Sequence, residues 1–118
     1  MDKVMTYRKA LQELLSDYAR YLGSPQAETG GDTVSEIQTV FDTERDHYQL
    51  VQFGFRSEER QYVVLVHFDI KNGKIWLQAN NTDLLFVQDL LKRGVPKEDV
   101  VLGIHAPALR QYSEFAIA

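Results

Sequence analysis

The sequence predicts an α+β fold in two layers, with an antiparallel β-meander packed against an amino-terminal helix and a second helix. Three observations carry this. Apolar residues recur at three- and four-residue spacing as far as Leu22, and from Val34 the period becomes two. Asn72-Gly73 sits between two alternating runs, a hairpin signal because both turn positions need φ > 0. A later apolar stripe at helical spacing ends at Gly94 with Pro96 just beyond. The 118 residues form a single domain, 1–118, large enough to bury a core without staples.

The first helix carries Val4, Tyr7, Leu11, Leu14, Leu15, Tyr18 and Leu22 on one stripe, with Asp2 as its cap and Gly23 and Pro25 as its stop. Residues 23 to 33 are rich in Gly, Ser, Thr and acidic groups and read as a mobile loop. A strand is expected from Ser35 to Asp42, a polar turn over Thr43-Glu44-Arg45, and a longer strand from Asp46 to Arg56.

A turn at Glu58-Glu59 would set Phe55 opposite Tyr62, Phe53 opposite Val64 and Val51 opposite Val66. The Asn72-Gly73 hairpin pairs Ile70 with Ile75, Phe68 with Leu77 and Val66 with Ala79 on the same core face. Its other face places Asp69 beside Trp76 and His67 beside Gln78. A second helix is expected from about Asp83 to Arg93, capped by Asn81-Thr82, with Leu84, Val87, Leu90 and Leu91 inward. Beyond it, Pro96 to Asp99 suggests a helical turn, Val100-Val101-Leu102 a brief strand, and Ser113, Phe115 and Ile117 a terminal strand. Gly54 and Gly103 mark bulges or close backbone contacts.

Composition excludes several classes. Without cysteine there is no disulfide framework, thiol nucleophile or thiolate metal site. No apolar run approaches the ~18 residues of a membrane span. The charged, amphipathic amino terminus lacks the apolar centre of a signal peptide, so cytoplasmic residence is the expectation. A net charge of −4 argues against nucleic-acid binding through the overall field. Lys92-Arg93 and Lys97, the densest basic group, sit at a helix end that favours cations anyway. Phosphate loops, dinucleotide fingerprints and nucleophile elbows are missing, and no catalytic residue, cofactor or metal is expected from motif alone.

The chemistry that remains is local. His67 and Asp69 leave one face of a strand with roots roughly 7 Å apart. A metal needs a third ligand, and His47 with Asp46 on the neighbouring strand is the obvious donor. Trp76 and Gln78 opposite them point instead to a hydrogen-bonded, packed patch. The run Asp42, Glu44, Arg45, Asp46 and His47 reads as a solvated turn or a recognition loop. His105 and Arg110 suggest a polar corner near the carboxyl terminus, unless Arg110 pairs with Glu114.

Taken together, Asp42-Thr-Glu-Arg-Asp-His-Tyr-Gln-Leu50, His67-Phe-Asp-Ile70 and Gly73-Lys-Ile-Trp-Leu-Gln78 resemble the XisI family, the fdxN-element excision controlling factors of cyanobacteria. Gly94 to Gly103 and Arg110-Gln-Tyr-Ser-Glu-Phe115 continue the resemblance along the whole chain. Phe55 stands where the family tends to carry Trp. The resemblance implies an accessory or regulatory role in programmed DNA excision during heterocyst differentiation. It also implies a neighbouring XisH-like partner, with protein–protein contact rather than catalysis. Arg45, His47, Leu65, His67, Asp69, Trp76, Gln78 and Arg110 are the expected partner interface, and a homo-oligomer, with a dimer favoured, the expected assembly. The alternative is a metal-dependent enzyme or direct DNA binder with a site around His47, His67 and Asp69.

Overall fold

In the computed structural model, residues 2–23 and 33–118 are described, so most of the loop read over 23 to 33 lies outside them. Helix α1 spans Lys3–Leu22 and begins at Asp2, whose carboxylate accepts the Val4 amide hydrogen at 3.0 Å. Tyr7, Leu11, Leu14 and Leu15 form its buried stripe, as the spacing predicts. Among the described residues five strands follow: β1 (Thr33–Asp42), β2 (His47–Arg56), β3 (Glu59–Lys71), β4 (Lys74–Asn80) and β5 (Val100–Leu102). They lie in sequence order, the first four antiparallel. β5 joins β4 in parallel, which a tight hairpin cannot achieve. The crossover between them contains helix α2 (Phe86–Lys92). The fold is the α+β one the sequence predicts.

Helix α1 covers one sheet face. Its stripe meets Tyr48 and Leu50 of β2, Val66, Phe68 and Ile70 of β3, and Ile75 and Leu77 of β4. Phe86 and Leu90 of α2 close one side of that core. The Tyr7 hydroxyl donates to Asp99, and Lys3 pairs with the same carboxylate at 3.3 Å, which ties α1 to the 3-10 turn Lys97–Asp99.

The β3–β4 turn is the predicted one, with Asn72 and Gly73 at φ 54° and 74°. Its register holds for Ile70–Ile75, Asp69–Trp76 and Phe68–Leu77. It then slips: Gln78 bulges, so His67 pairs with Ala79 and Val66 with Asn80, not with Gln78 and Ala79. The β2–β3 turn also differs. It falls at Ser57-Glu58, with Ser57 at φ 56°, and pairs Phe55 with Arg60, Phe53 with Tyr62 and Val51 with Val64.

Leu65 is a second bulge, unpaired between Val64 and Val66. One extra residue exchanges the faces of the two halves of β3. Val51, Phe53, Phe55, Tyr62 and Val64 therefore lie opposite the helix-covered core that the sequence assigns them. The Leu65 and Val64 carbonyls are not left orphaned: the Asn81 backbone and side-chain amides donate to them at 2.8 and 2.7 Å.

Two ends differ from expectation. Helix α2 starts at Phe86, not Asp83, and Leu85 gives it no side-chain cap. The polar residues before it build a turn of their own: Asn80 Oδ1 accepts from the Thr82 amide and hydroxyl, and Thr82 Oγ1 accepts from the Leu84 amide. Gly94, at φ 99°, ends the helix, and the Val95 amide returns to the Leu90 carbonyl. The expected terminal strand reduces to one bridge, Ala116 to Val101, and Ile117 is exposed. Gly103 makes the close contact expected of it, since a Cβ there would meet Gln78 Oε1 at 2.6 Å.

Candidate functional site

On the sheet face away from α1, β2 and β3 bring three polar side chains together. His47 opens β2 and is paired with Asp69 of β3, while His67 lies two residues before Asp69 on the same face. His47 Nδ1 and His67 Nε2 each lie 2.7 Å from the same oxygen, Asp69 Oδ1. The Gln49 amide donates to His67 Nδ1 at 2.9 Å, so the His67 proton sits on Nε2 and points at Asp69. Gln78 Nε2 donates to Asp69 Oδ2 at 3.2 Å, and its position in the bulge lets it reach across from β4. The side chains of His47, His67 and Asp69 are 50%, 25% and 13% exposed, so the cluster opens to solvent on the His47 side.

Burial pushes the Asp69 carboxyl up, but hydrogen bonds from His47 and His67 outweigh it and hold the group below the usual carboxylate range. A depressed folded-state value stabilises the protein above the unfolded pKa of about 3.9, and that stability is lost as pH falls through the folded value. Thermal melts of the wild type are therefore expected to drop below about pH 4. Asp69→Asn should be less stable at pH 7 and show a shallower acid decline. Parallel melting curves for the two proteins from pH 7 to pH 3 would contradict this.

The neighbours of the cluster are fixed differently from expectation. Trp76 is only 8% exposed, with the Lys71 ammonium 4.2 Å and the Arg110 guanidinium 5.2 Å from its ring centroid. Its Nε1 is buried without an acceptor among the described residues. Arg110 donates to the His105 carbonyl at 3.1 Å, which makes the expected polar corner and leaves Glu114 aside. Leu65 belongs to the helix-side core, because its bulge turns it away from this face. Arg45 sits in the solvated β1–β2 turn, its amide bonded to Asp42 and its side chain 74% exposed. Asp46 turns toward α1, where it accepts from Arg8 at 2.7 and 3.1 Å and from the Tyr48 hydroxyl at 2.9 Å.

The sequence reading missed a second feature of this face. Phe53 and Tyr62 stack across β2 and β3 with centroids 5.9 Å apart, and the Arg60 guanidinium lies 5.3 Å from Phe53 and 5.0 Å from Phe55. Tyr62 is 66% exposed and Phe55 45%. Its signal was the period-two run Phe53, Phe55 and Arg60, Tyr62, hidden by the assumption of an unbroken β3.

The molecule is a helix-backed β-meander whose other sheet face carries a polar cluster at one end and exposed aromatic side chains at the other. The chain belongs to the XisI protein family, whose model matches residues 1–117. The crystal structure of an XisI-like protein from Anabaena variabilis is similar at 43% identity and a TM-score of 0.85, covering 98% of this chain and 99% of that one. The crystal structure of fdxN element excision controlling factor XisI from the same organism is similar at 32% identity and a TM-score of 0.79, covering 99% and 100%. No match was found among curated proteins.

Proposed function

We propose that this chain is an accessory factor in the control of DNA-element excision, acting by protein–protein contact rather than by bond-making. Family membership supports the first half, through a relative described as the fdxN element excision controlling factor. The observation that carries the second half is the exposed aromatic cluster on the sheet face opposite α1. Tyr62 and Phe55 are exposed side by side, and Arg60 packed against Phe55 is a residue type enriched at interfaces. The contact surface is thus centred on Phe53, Phe55, Arg60 and Tyr62 rather than on Trp76 and Leu65.

The partner is an XisH-like protein, and two copies of this chain pair in its absence. Symmetric pairs are the commonest assembly of such surfaces. Direct duplex binding is disfavoured by the net charge of −4.

Co-purification with the XisH-like protein tests the reading. Phe55→Asp combined with Tyr62→Asp should weaken the complex at least about tenfold, the effect of losing central aromatic anchors. Unchanged melting of the double variant would show that the fold is intact. An unaffected complex would overturn the surface assignment, and a clean monomer in sedimentation at high concentration would overturn the pairing.

A further inference from the structure

We propose that His47, His67 and Asp69 form a binding site for one divalent transition-metal ion, Zn²⁺ being the best match to its donors. A donor atom from each of the three residues lies within 4.8 Å of the others. The strand register supplies the third ligand that the sequence spacing leaves open: pairing of His47 with Asp69 sets an imidazole from β2 beside the His67–Asp69 pair of β3. Asp46, the other candidate, is engaged with Arg8 and Tyr48 on the opposite side.

The geometry gathers the donors that an ion needs. Both imidazole nitrogens converge on a single oxygen, Asp69 Oδ1, at 2.7 Å, although Oδ2 is at hand and takes only the Gln78 amide. The two imidazoles point at the third donor, and the three donor atoms lie within 4.8 Å of one another, gathered on one side of a space an ion could enter. In a tetrahedral zinc site with bonds of about 2.0–2.1 Å, neighbouring donors stand about 3.3 Å apart. Each nitrogen–oxygen pair therefore opens by about 0.6 Å, and the two nitrogens, within 4.8 Å of each other, come to the same spacing as the ion takes the place of the two shared protons. His47, half-exposed, has room to make that movement and leaves the remaining coordination position facing solvent.

The surroundings also suit an ion. A His67 that binds through Nε2 must carry its proton on Nδ1 and needs an acceptor there. The Gln49 carboxamide already lies 2.9 Å from Nδ1, and by turning over it presents its oxygen in place of its nitrogen. Gln78 holds the free Asp69 oxygen in place. Two imidazoles and one carboxylate match zinc and its neighbours in the first transition row, whereas magnesium and calcium take all-oxygen sets. The site is separate from the aromatic contact surface of the proposed function and does not depend on it.

The test uses untagged, chelator-stripped full-length protein titrated with Zn²⁺ in a calorimeter, with Co²⁺ as a spectroscopic probe of coordination. One ion per chain is expected. His47→Gln and His67→Gln should each bind at least about tenfold more weakly, since even outer-shell changes cost 10–100-fold. His105→Gln, at the carboxyl-terminal corner, should bind like the wild type. Zn²⁺ should raise the melting temperature of the wild type and not that of His47→Gln, whose exposed position keeps the apo fold intact. A wild type without stoichiometric binding, or a His47→Gln variant that binds equally tightly, would overturn the site.

Discussion

Phe86→Ala is expected to lower stability by about 3–5 kcal/mol, the range for emptying a buried aromatic position. The ring is 1% exposed and lies where three elements meet, with its centroid 4.6 Å from that of Tyr18 on α1 and 6.5 Å from that of Phe68 on β3. Helix α2 has seven residues and no side-chain cap at its start, too little to persist by itself. Its place is therefore held by what Phe86 and Leu90 bury. Because a domain of this size has only about 5–15 kcal/mol in total, the variant should stand near its unfolding threshold at 37 °C. Urea unfolding should show a midpoint well below that of the wild type with little change in slope. A loss under about 1 kcal/mol would mean that the cavity collapses and that α2 is held by something else.

Asp46→Ala should be the most damaging change among the polar residues of the β1–β2 turn. The Tyr48 ring is fully buried and its hydroxyl donates to Asp46 at 2.9 Å, so removing the carboxylate orphans a donor at a cost of about 1–3 kcal/mol. The ion pair to Arg8, which links α1 to the turn, is lost with it. Asp46 also sits at φ 61°, which Asp and Asn tolerate better than Ala. A double-mutant cycle with Tyr48→Phe separates these terms. In the Asp46→Ala background, Tyr48→Phe should cost far less than it does alone, because the hydroxyl it removes is already unpaired. Strict additivity of the two changes would show that the hydroxyl does not depend on Asp46.

The Asp46 carboxyl is held below its usual range chiefly by the Arg8 hydrogen bond, which outweighs burial, with Tyr48 adding to it. This contribution is present above the unfolded pKa and fades in acid, in the same direction as that of Asp69.

Family membership was legible in the sequence, since Asp42 to Leu50, His67 to Ile70 and Gly73 to Gln78 are continuous local strings. Elements were legible for a related reason. Asp2 starts α1 with its carboxylate on the Val4 amide, Gly23 closes it with its amide on the Ala19 carbonyl, and Asn72-Gly73 sets its turn through two positive φ angles. Sequence reasoning failed where local signals compete. Asn81 and Thr82 look like a helix cap, yet Thr82 closes a turn with Asn80 while Asn81 satisfies the bulge carbonyls, so α2 begins later and Phe86 was overlooked. Leu65 was expected on a partner surface because nothing in its own segment announces a bulge, and its burial in the helix-side core became visible only across three strands.

By itself, then, the sequence determined the order and kind of the elements from α1 to β5, the α1 stripe and the central pairs Ile70–Ile75 and Phe68–Leu77, because periodicity and turn conformation are properties of neighbouring residues. Only the tertiary structure decided which side chains share the uncovered face, that His47 meets His67 and Asp69, and that Arg8 reaches Asp46. The shared face and the meeting of His47 with Asp69 depend on register, and a single unpaired residue, Leu65 or Gln78, shifts the register of everything beyond it, while the Arg8 contact depends on how α1 docks.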